Sequence, residues 1–273
     1  MSPFARAPRS PEPGDAPTFR LSVVIPAFHE AAHIADTVAT LRDALACVEA
    51  RGGVEIVVVD DGSADRTAES ARQAGADQVI VKETNQGKGA AVRAGVLAAR
   101  GATIVFTDAD LAYPPEQIVS LLERVEDGWR MVVGSRHHQA TTTVVRARRI
   151  RQLGSRAVNV ATMVLLLGVL RDTQCGLKAF EREAARALFG AGRVDGFAFD
   201  IELFHLADRF EIAPLEVPVQ LVNSEQSTVR LVRDTARLIR DVLRIRWWDL
   251  RGGYRASTVA APAVGDRTAQ LRR

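Results

Sequence analysis

From residue 21 onward, two kinds of pattern alternate along the chain. The runs SVVI, EIVVVD, QVIV, TIVFTD and MVVGS are short and β-branched, as strands are when both faces of their sheet are covered. The segments between them, 31–50, 64–74, 88–100 and 115–125, carry helical patterning. Strands alternating with helices predict an α/β fold, a mostly parallel sheet with helices on both faces. Beyond residue 136 the pattern changes. A basic, apolar helical region precedes a short GLKAF strand, a helix over 199–210, the run IAPLEVPVQ and a long helix over 228–248. There is no internal repeat, and one domain over 20–250 accounts for the order.

Composition narrows the class. The 273 residues are 47% hydrophobic and 25% charged, ordinary for a globular protein with a sizeable core. Formal net charge is only +3, yet arginine is dense over 146–156 and again over 230–255. Local basic stripes suit phosphates, nucleic acid or an anionic membrane surface. Nucleic acid is the weakest of these, given the modest net charge and few aromatics for stacking. Two cysteines, Cys47 and Cys175, make no disulfide framework and fit a reducing cytoplasm. Residues 1–19 are Pro-rich and polar and 251–273 are small and polar, so both are expected to be disordered. No run reaches the ~20 apolar residues of a spanning helix; the nearest, 157–170, is too short.

Candidate chemistry sits where strands end. In FTDADLAYPPEQI an apolar strand runs into Asp108 and Asp110, followed by a Pro-Pro turn. Side chains two apart on a strand point the same way. Both carboxylates should therefore lean past the strand's carboxyl end, where open α/β sheets bind ligands. Paired acidic oxygens there suit a hard divalent cation, Mg2+ or Mn2+, holding a diphosphate; a solvated turn is the plainer use. Two other strand ends bring Pro26, Ala27 and Glu30, and Asp60 with Asp61, to the same crevice. Asp60 is placed to accept hydrogen bonds from a base or ribose, since N-capping falls naturally to Ser63 or Asp65. In NQGKGAAVRAG, Lys88 stands between two glycines at a helix start, which favours a phosphate or other anion. Arg136 follows another strand and suits either bidentate phosphate recognition or a surface ion pair. The first strand turns into PAFHE, and neither G-x-G-x-x-G there nor G-x-x-x-x-G-K-[ST] anywhere is present. Dinucleotide-dependent dehydrogenases and P-loop NTPases therefore fit poorly.

In order, SVVIPAFHE, VVVDDGSADRT, NQGKGAAVRAG, FTDADLAYPPEQI, VVGSR, DTQCGLKAF and FAFDIEL resemble glycosyltransferase family 2. Within it the likeness is to polyprenyl-phosphate sugar synthases, above all the dolichyl-phosphate β-glucosyltransferases. It covers roughly 21–248, and DTQCGLK with D-A-D is far more specific than either motif alone. The resemblance implies a GT-A (Rossmann-like) fold and inverting transfer of a hexose from a nucleotide-diphosphate sugar, UDP-glucose being expected, to a polyprenyl phosphate. By matching motif, Pro26, Ala27, Glu30, Asp60 and Asp61 would hold the nucleotide, with Lys88, Asp108 and Ala109 on the rest of the donor. Asp108 and Asp110 would carry the metal, Asp110 more directly. Arg136 would lie near the acceptor phosphate, and Gln174, Cys175, Gly176 and Lys178 in the loop closing the sugar and acceptor site. Ser227 and Thr228 occupy the place of a mobile Ser-Lys-Leu-like loop. The lysine is missing here, and Arg230 or Arg233 would substitute.

Family members that glycosylate hydroxyls need a general base, often a late aspartate, and Asp200 in FAFDIEL holds that position; an N-cap is its plain alternative. A lipid phosphate is largely anionic at neutral pH, its second pKa being near ~6. Catalysis would then rest on positioning and charge neutralisation, with Asp200 ordering sugar or acceptor. A membrane-bound acceptor suits amphipathic, membrane-facing helices at 144–171 and 228–248. In the second, Arg230, Arg233, Arg237, Arg240 and Arg244 form a basic stripe, with Trp247 and Trp248 as an interfacial anchor. A buried helix with a solvated arginine face is the alternative. The expected enzyme is cytoplasmic and peripheral to the inner membrane face; its partners are a nucleotide sugar, a polyprenyl phosphate and an anionic surface, without nucleic acid, and a homo-oligomer is compatible. Transfer to a hydroxyl, and non-catalytic nucleotide-sugar binding, stay open.

Overall fold

The structure, a computed structural model, describes residues 16–135, 142–143, 175–222 and 231–254, with the backbone alone for 142–143 and 231–236. Arg136, Gln174, Ser227, Arg230, the Arg233 side chain and the segment 144–171 lie outside the described residues. In chain order the elements are β1 (Phe19–Ala27), α1 (Ile34–Ala44), α2 (Ala46–Glu49), β2 (Val54–Asp60), α3 (Thr67–Gln73), β3 (Gln78–Val81), α4 (Lys88–Ala98), β4 (Gly101–Phe106), α5 (Glu116–Glu126), β5 (Met131–Ser135), β6 (Thr142–Thr143), β7 (Lys178–Glu181), α6 (Arg182–Ala191), α7 (Phe199–Arg209), β8 (Pro214–Pro218), β9 (Gln220–Leu221) and α8 (Leu231–Leu250).

Seven strands form one sheet in the order β3-β2-β1-β4-β7-β5-β8. Every pairing is parallel except those of β7, which runs against β4 and β5. β6 and β9 make a separate parallel pair. The five early strands form where the apolar runs predict. Alternate side chains of each run go to opposite faces: Val24, Val57 and Val59 join a core under α4, α6, α7 and α8, while Val23, Ile25, Ile56 and Val58 join one under α1, α3 and α5. Burial on both faces explains why these strands show no polar alternation. After β1 the chain moves to β2 on one side, and β4 lies on the other. The carboxyl ends of β1 and β4 therefore flank a topological switch point, where a crevice opens.

Several predicted elements shift. The helix expected over 31–50 is two helices parted at Leu45. α6 was not anticipated from the sequence; Glu181 caps it by accepting from the Glu183 and Ala184 amides, and Ala184, Ala185 and Leu188 are buried. The chain expected to be a tail from residue 251 stays packed to Tyr254, which is 2% exposed. Residues 1–15 and 255–273 lie outside the described residues. α8 is apolar on two sides. Val242 and Ile245 are buried with Leu238 and Trp248 against the core, while Ile239, Leu243, Trp247 and Leu250 are exposed at spacings that form one stripe. No helix among the described residues is long and apolar enough to cross a membrane.

Candidate active site

The first two loops of the crevice are laced together. After β1, the amides of His29 and Ala31 donate to Ser63 Oγ (2.9 Å) and Asp65 Oδ2 (3.3 Å) of the β2–α3 loop, and that of Glu30 to Oγ1 of Thr67 (2.9 Å), the first residue of α3. His29 sits at φ 59° to make this turn. With its amides spent, the loop after Pro26 and Ala27 presents walls and the Glu30 carboxyl to the crevice rather than an anion-binding nest. Asp60 is 2% exposed, and one oxygen accepts from the Ser63 amide (3.0 Å); its other oxygen makes no hydrogen bond among the described residues. Asp65, not Asp60, serves the start of α3, accepting from the Thr67 amide and hydroxyl.

Asp61 turns the other way. Its carboxylate accepts from the amides of Gln86 (3.2 Å) and Gly87 (2.7 Å) and pairs with Lys82 (3.1 Å). It shapes the loop that delivers Lys88, and both of its oxygens are engaged in doing so. Gly62, at φ 76°, leaves room for that loop: a Cβ there would lie 2.5 Å from the Thr84 carbonyl carbon. Lys88 opens α4, where its own amide and that of Gly89 make no hydrogen bond among the described residues.

Around the Lys88 ammonium lies a row of alternating charge. Lys88 bonds Asp108 at 2.5 Å. Asp200 accepts from Lys178 at 2.6 Å, and the same ammonium donates to the Cys175 carbonyl at 2.5 Å and lies 5.1 Å from the centre of the Phe106 ring. Burial alone would lower the Lys88 pKa, but Asp108, Asp200 and Asp110 outweigh it and hold it above its ordinary value. Burial pushes Asp200 up, against the pull of Lys178 and Lys88. Desolvation in the crevice, and then the charge of Asp108, push Asp110 up. Burial does the same to Glu30, with Asp110 and Asp65 adding to it against His33.

Asp108 and Asp110 do meet, though not as strand neighbours. β4 ends at Phe106, and the two aspartates occupy a turn closed by the Leu111 amide on the Asp108 carbonyl (3.2 Å). Ala109 is buried between them, its carbonyl accepting from Thr37 Oγ1 at 2.6 Å. Asp110 accepts from the Ala112 amide at 3.1 Å. Gly176 packs so closely that a Cβ would lie 2.1 Å from Asp108 Oδ2. A buried Asp110 carboxyl whose proton affinity is raised further by the Asp108 charge beside it is a setting that a hard cation relieves, so the pair fits Mg2+ or Mn2+. Among the described residues no three His, Cys, Asp or Glu side chains form a metal cage, which leaves the remaining ligand positions to diphosphate oxygens and water.

Of the loop expected to close the site, Cys175 and Lys178 are both 0% exposed. Lys178 is the first residue of β7, and its buried ammonium donates to Asp200. Asp200 lies in the first turn of α7, whose N-cap is Ala198. Residues that sequence reading missed are supporting ones: Thr37, Thr67, and the pair Arg93–Asp195 behind Lys88. The run DGSADRT carries a signal for Thr67, whereas the Arg93–Asp195 pair is separated by 102 positions and leaves none.

Residues 22–189 match the Glycosyl transferase family 2 profile. The dolichyl-phosphate beta-glucosyltransferase of Drosophila melanogaster is 34% identical over 224 residues, 76% of this chain and 68% of the relative. That of Homo sapiens is 32% identical over 259 residues, 88% and 79% respectively. Among solved structures, glucosyl-3-phosphoglycerate synthase from Mycobacterium tuberculosis, in complex with Mn2+, uridine-diphosphate and glucosyl-3-phosphoglycerate, matches with a TM-score of 0.61 at 25% identity, covering 88% of this chain and 82% of its own.

Proposed function

Because the chain belongs to glycosyltransferase family 2, we propose that it transfers glucose from UDP-glucose to a polyprenyl phosphate at a membrane surface, inverting the anomeric centre. The observation that carries this is the row of alternating charge at the switch point, Lys88 with Asp108 and Asp110 on one side and Asp200 with Lys178 on the other. A diphosphate needs cations held in place, and the acceptor phosphate brings its own anionic nucleophile. The names of the curated relatives support the acceptor class, and the Mn2+ and uridine-diphosphate complex supports donor and metal.

In this reading Pro26, Ala27, Glu30 and Asp60 hold base and ribose, and the Lys88 ammonium faces the diphosphate together with the amides of Lys88 and Gly89, which make no hydrogen bond among the described residues. Asp61 positions that turn. Asp108 and Asp110 hold Mg2+ or Mn2+, which when bound supplies charge to the departing nucleoside diphosphate. Asp200 orders the sugar or acceptor through the loop that Lys178 ties down at Cys175. Arg136, Gln174, Arg230 and Arg233 are proposed for the acceptor side on sequence alone. The exposed stripe Ile239, Leu243, Trp247 and Leu250, flanked by Arg240, Arg244, Arg246 and Arg251, suits peripheral docking on the cytoplasmic face, each arginine near anionic lipid contributing about 1 kcal/mol.

Asp110→Ala should abolish UDP release and lipid product with UDP-glucose, Mg2+ or Mn2+ and a short polyprenyl phosphate; unchanged turnover would remove the assigned site. A second reading, transfer to a hydroxyl of a small phosphorylated acceptor, is favoured by the likeness to glucosyl-3-phosphoglycerate synthase. It makes Asp200→Asn far more damaging than Arg136→Ala. A binding protein without activity would bind UDP yet release none with any acceptor.

A further inference from the structure

We propose that Glu202 and Tyr254 are positioning residues for the Lys88 turn: they clamp the loop 192–196 on which that turn is seated, and so tie the C-terminal end of α8 to the donor-phosphate site. Glu202 lies two residues beyond Asp200 on α7, on the opposite side of the helix, and is 2% exposed. One carboxylate oxygen accepts from the amides of Arg193 (2.9 Å) and Val194 (2.8 Å), the other from the Tyr254 hydroxyl (2.6 Å). Three donors on one buried carboxylate fix the loop's path. None of them belongs to the crevice.

The clamped loop then bears on Lys88 from both flanks. The Asp195 carbonyl accepts from the Ala90 amide at 3.1 Å, and the Asp195 carboxylate pairs with Arg93. A Cβ at Gly87 would lie 2.6 Å from the Asp195 carbonyl oxygen; one at Gly89 would lie 2.6 Å from Phe199 Cβ and 2.7 Å from the Val194 oxygen. The turn therefore has no slack against the loop behind it.

Tyr254 is latched in its turn. It is 2% exposed, its carbonyl accepts from Arg209 at 3.2 Å, and Arg193 donates to the neighbouring Gly253 carbonyl at 2.6 Å while lying over the Trp248 and Tyr254 rings. Arg209 also pairs with Asp249 of α8 at 2.5 Å. The end of α8 is thus joined to the Lys88 turn by a continuous run of hydrogen bonds and close contacts. Displacing a binding group by about 1 Å costs roughly 100-fold in rate, so a loosened loop should be felt at the ammonium.

The proposal rests on the Lys88 turn facing the donor diphosphate, and the test separates the two. In the full chain, UDP and uridine binding with Mn2+ are measured by calorimetry, and hydrogen exchange is followed across 86–91. Glu202→Ala should weaken UDP about 10-fold, raise the donor KM and speed exchange at 86–91, leaving uridine affinity unchanged. Tyr254→Phe should move the same readouts by a smaller factor. Glu202→Gln should restore them, because its amide oxygen still accepts from both loop amides and its NH2 donates to the Tyr254 oxygen. Should Glu202→Ala fail to fold, Tyr254→Phe against Glu202→Gln decides. Unchanged UDP affinity and exchange in Tyr254→Phe and Glu202→Ala, with only a lower Tm, would overturn the clamp. Wild type preferring UDP no more than uridine would instead overturn the phosphate reading, while exchange at 86–91 still judges the clamp.

Discussion

Gly176→Ala probes the carboxylate pair with one added methyl. The new Cβ would lie 2.1 Å from Asp108 Oδ2, 2.9 Å from its Cγ and 3.4 Å from Oδ1. Non-bonded heavy atoms settle near ~3.5 Å, so more than about 1 Å must be found. The backbone at Gly176 lies outside the left-handed region, so alanine meets no conformational strain and the effect is steric. Its flanks give little. The Cys175 carbonyl is held by the Lys178 ammonium at 2.5 Å, the Leu177 carbonyl by the Gly134 amide at 3.0 Å, and β7 is paired on both sides. The Asp108 carboxylate, only half-buried, is the part that moves, and moving it breaks the 2.5 Å contact with Lys88. A displacement of that size predicts a fall of about 100-fold in kcat/KM, with a stability loss of about 1–3 kcal/mol. UDP release is the assay, with Tm alongside. Gly190→Ala on α6 is the control: its Cβ meets nothing within 4 Å, so activity should hold and stability should rise slightly. The reasoning fails if Gly176→Ala stays within about 3-fold of wild type while Asp108→Ala is inactive.

Lys178→Met leaves the Asp200 carboxylate buried without its cation and should destabilise by about 3–5 kcal/mol; the double variant with Asp200→Leu should regain much of that in urea titrations, and a neutral single variant would contradict the pairing. Burial raises the folded-state pKa of Glu202 above its ordinary 4.5, so its contribution is present below the unfolded value and lost as pH rises through the folded one. Glu202→Gln should therefore gain stability relative to wild type between about pH 4.5 and neutrality, and a gap that instead opens toward acid would refute the sign. On α8, Leu243 and Trp247 are 56% and 50% exposed, so changing both to serine should leave Tm within a degree or two yet abolish salt-sensitive flotation with anionic vesicles; retained flotation would end the docking role.

Strands and strand ends were legible because burial on both faces leaves unbroken apolar runs, and because ligands gather where those runs stop. That logic predicts Asp60, Asp108 and Asp110 at one crevice; in the structure Lys88 bonds Asp108 and interacts with the charge of Asp110. The same logic gives Asp61 to the nucleotide, whereas neighbouring residues on an extended chain point opposite ways and the Asp61 carboxylate accepts from the Gln86 and Gly87 amides. Lys178 reads as a loop cation because lysine is seldom fully buried; its burial is made tolerable by Asp200, 22 positions away. The brace behind Lys88 was illegible for the same reason, since Glu202 and Tyr254 meet across 52 positions. On α8 the arginine stripe could be read, but not which of two apolar sides faces the core, because only the packing of Val242 and Ile245 against the body decides it.

Under the proposed function, charge in the crevice couples the binding of donor and metal. Asp108, Asp110 and Asp200 stand against Lys88 and Lys178, and Glu30 adds a further carboxyl at the mouth that Asp110 repels. Burial first, and then the charge of Asp108, raise the pKa of Asp110. A diphosphate alone would be held by Lys88 but repelled by the aspartates; with a divalent cation the balance reverses. UDP and metal should therefore bind interdependently, with UDP affinity falling roughly 100-fold in chelator if the coupling is about 3 kcal/mol. Asp110→Asn separates this from a merely damaged site, because it removes repulsion and coordination together. In chelator the variant should bind UDP more tightly than wild type; with Mn2+ it should bind more weakly and gain nothing from the ion. If Asp110→Asn instead weakens UDP in chelator as well, Asp110 touches the nucleotide directly and the metal-bridging role fails.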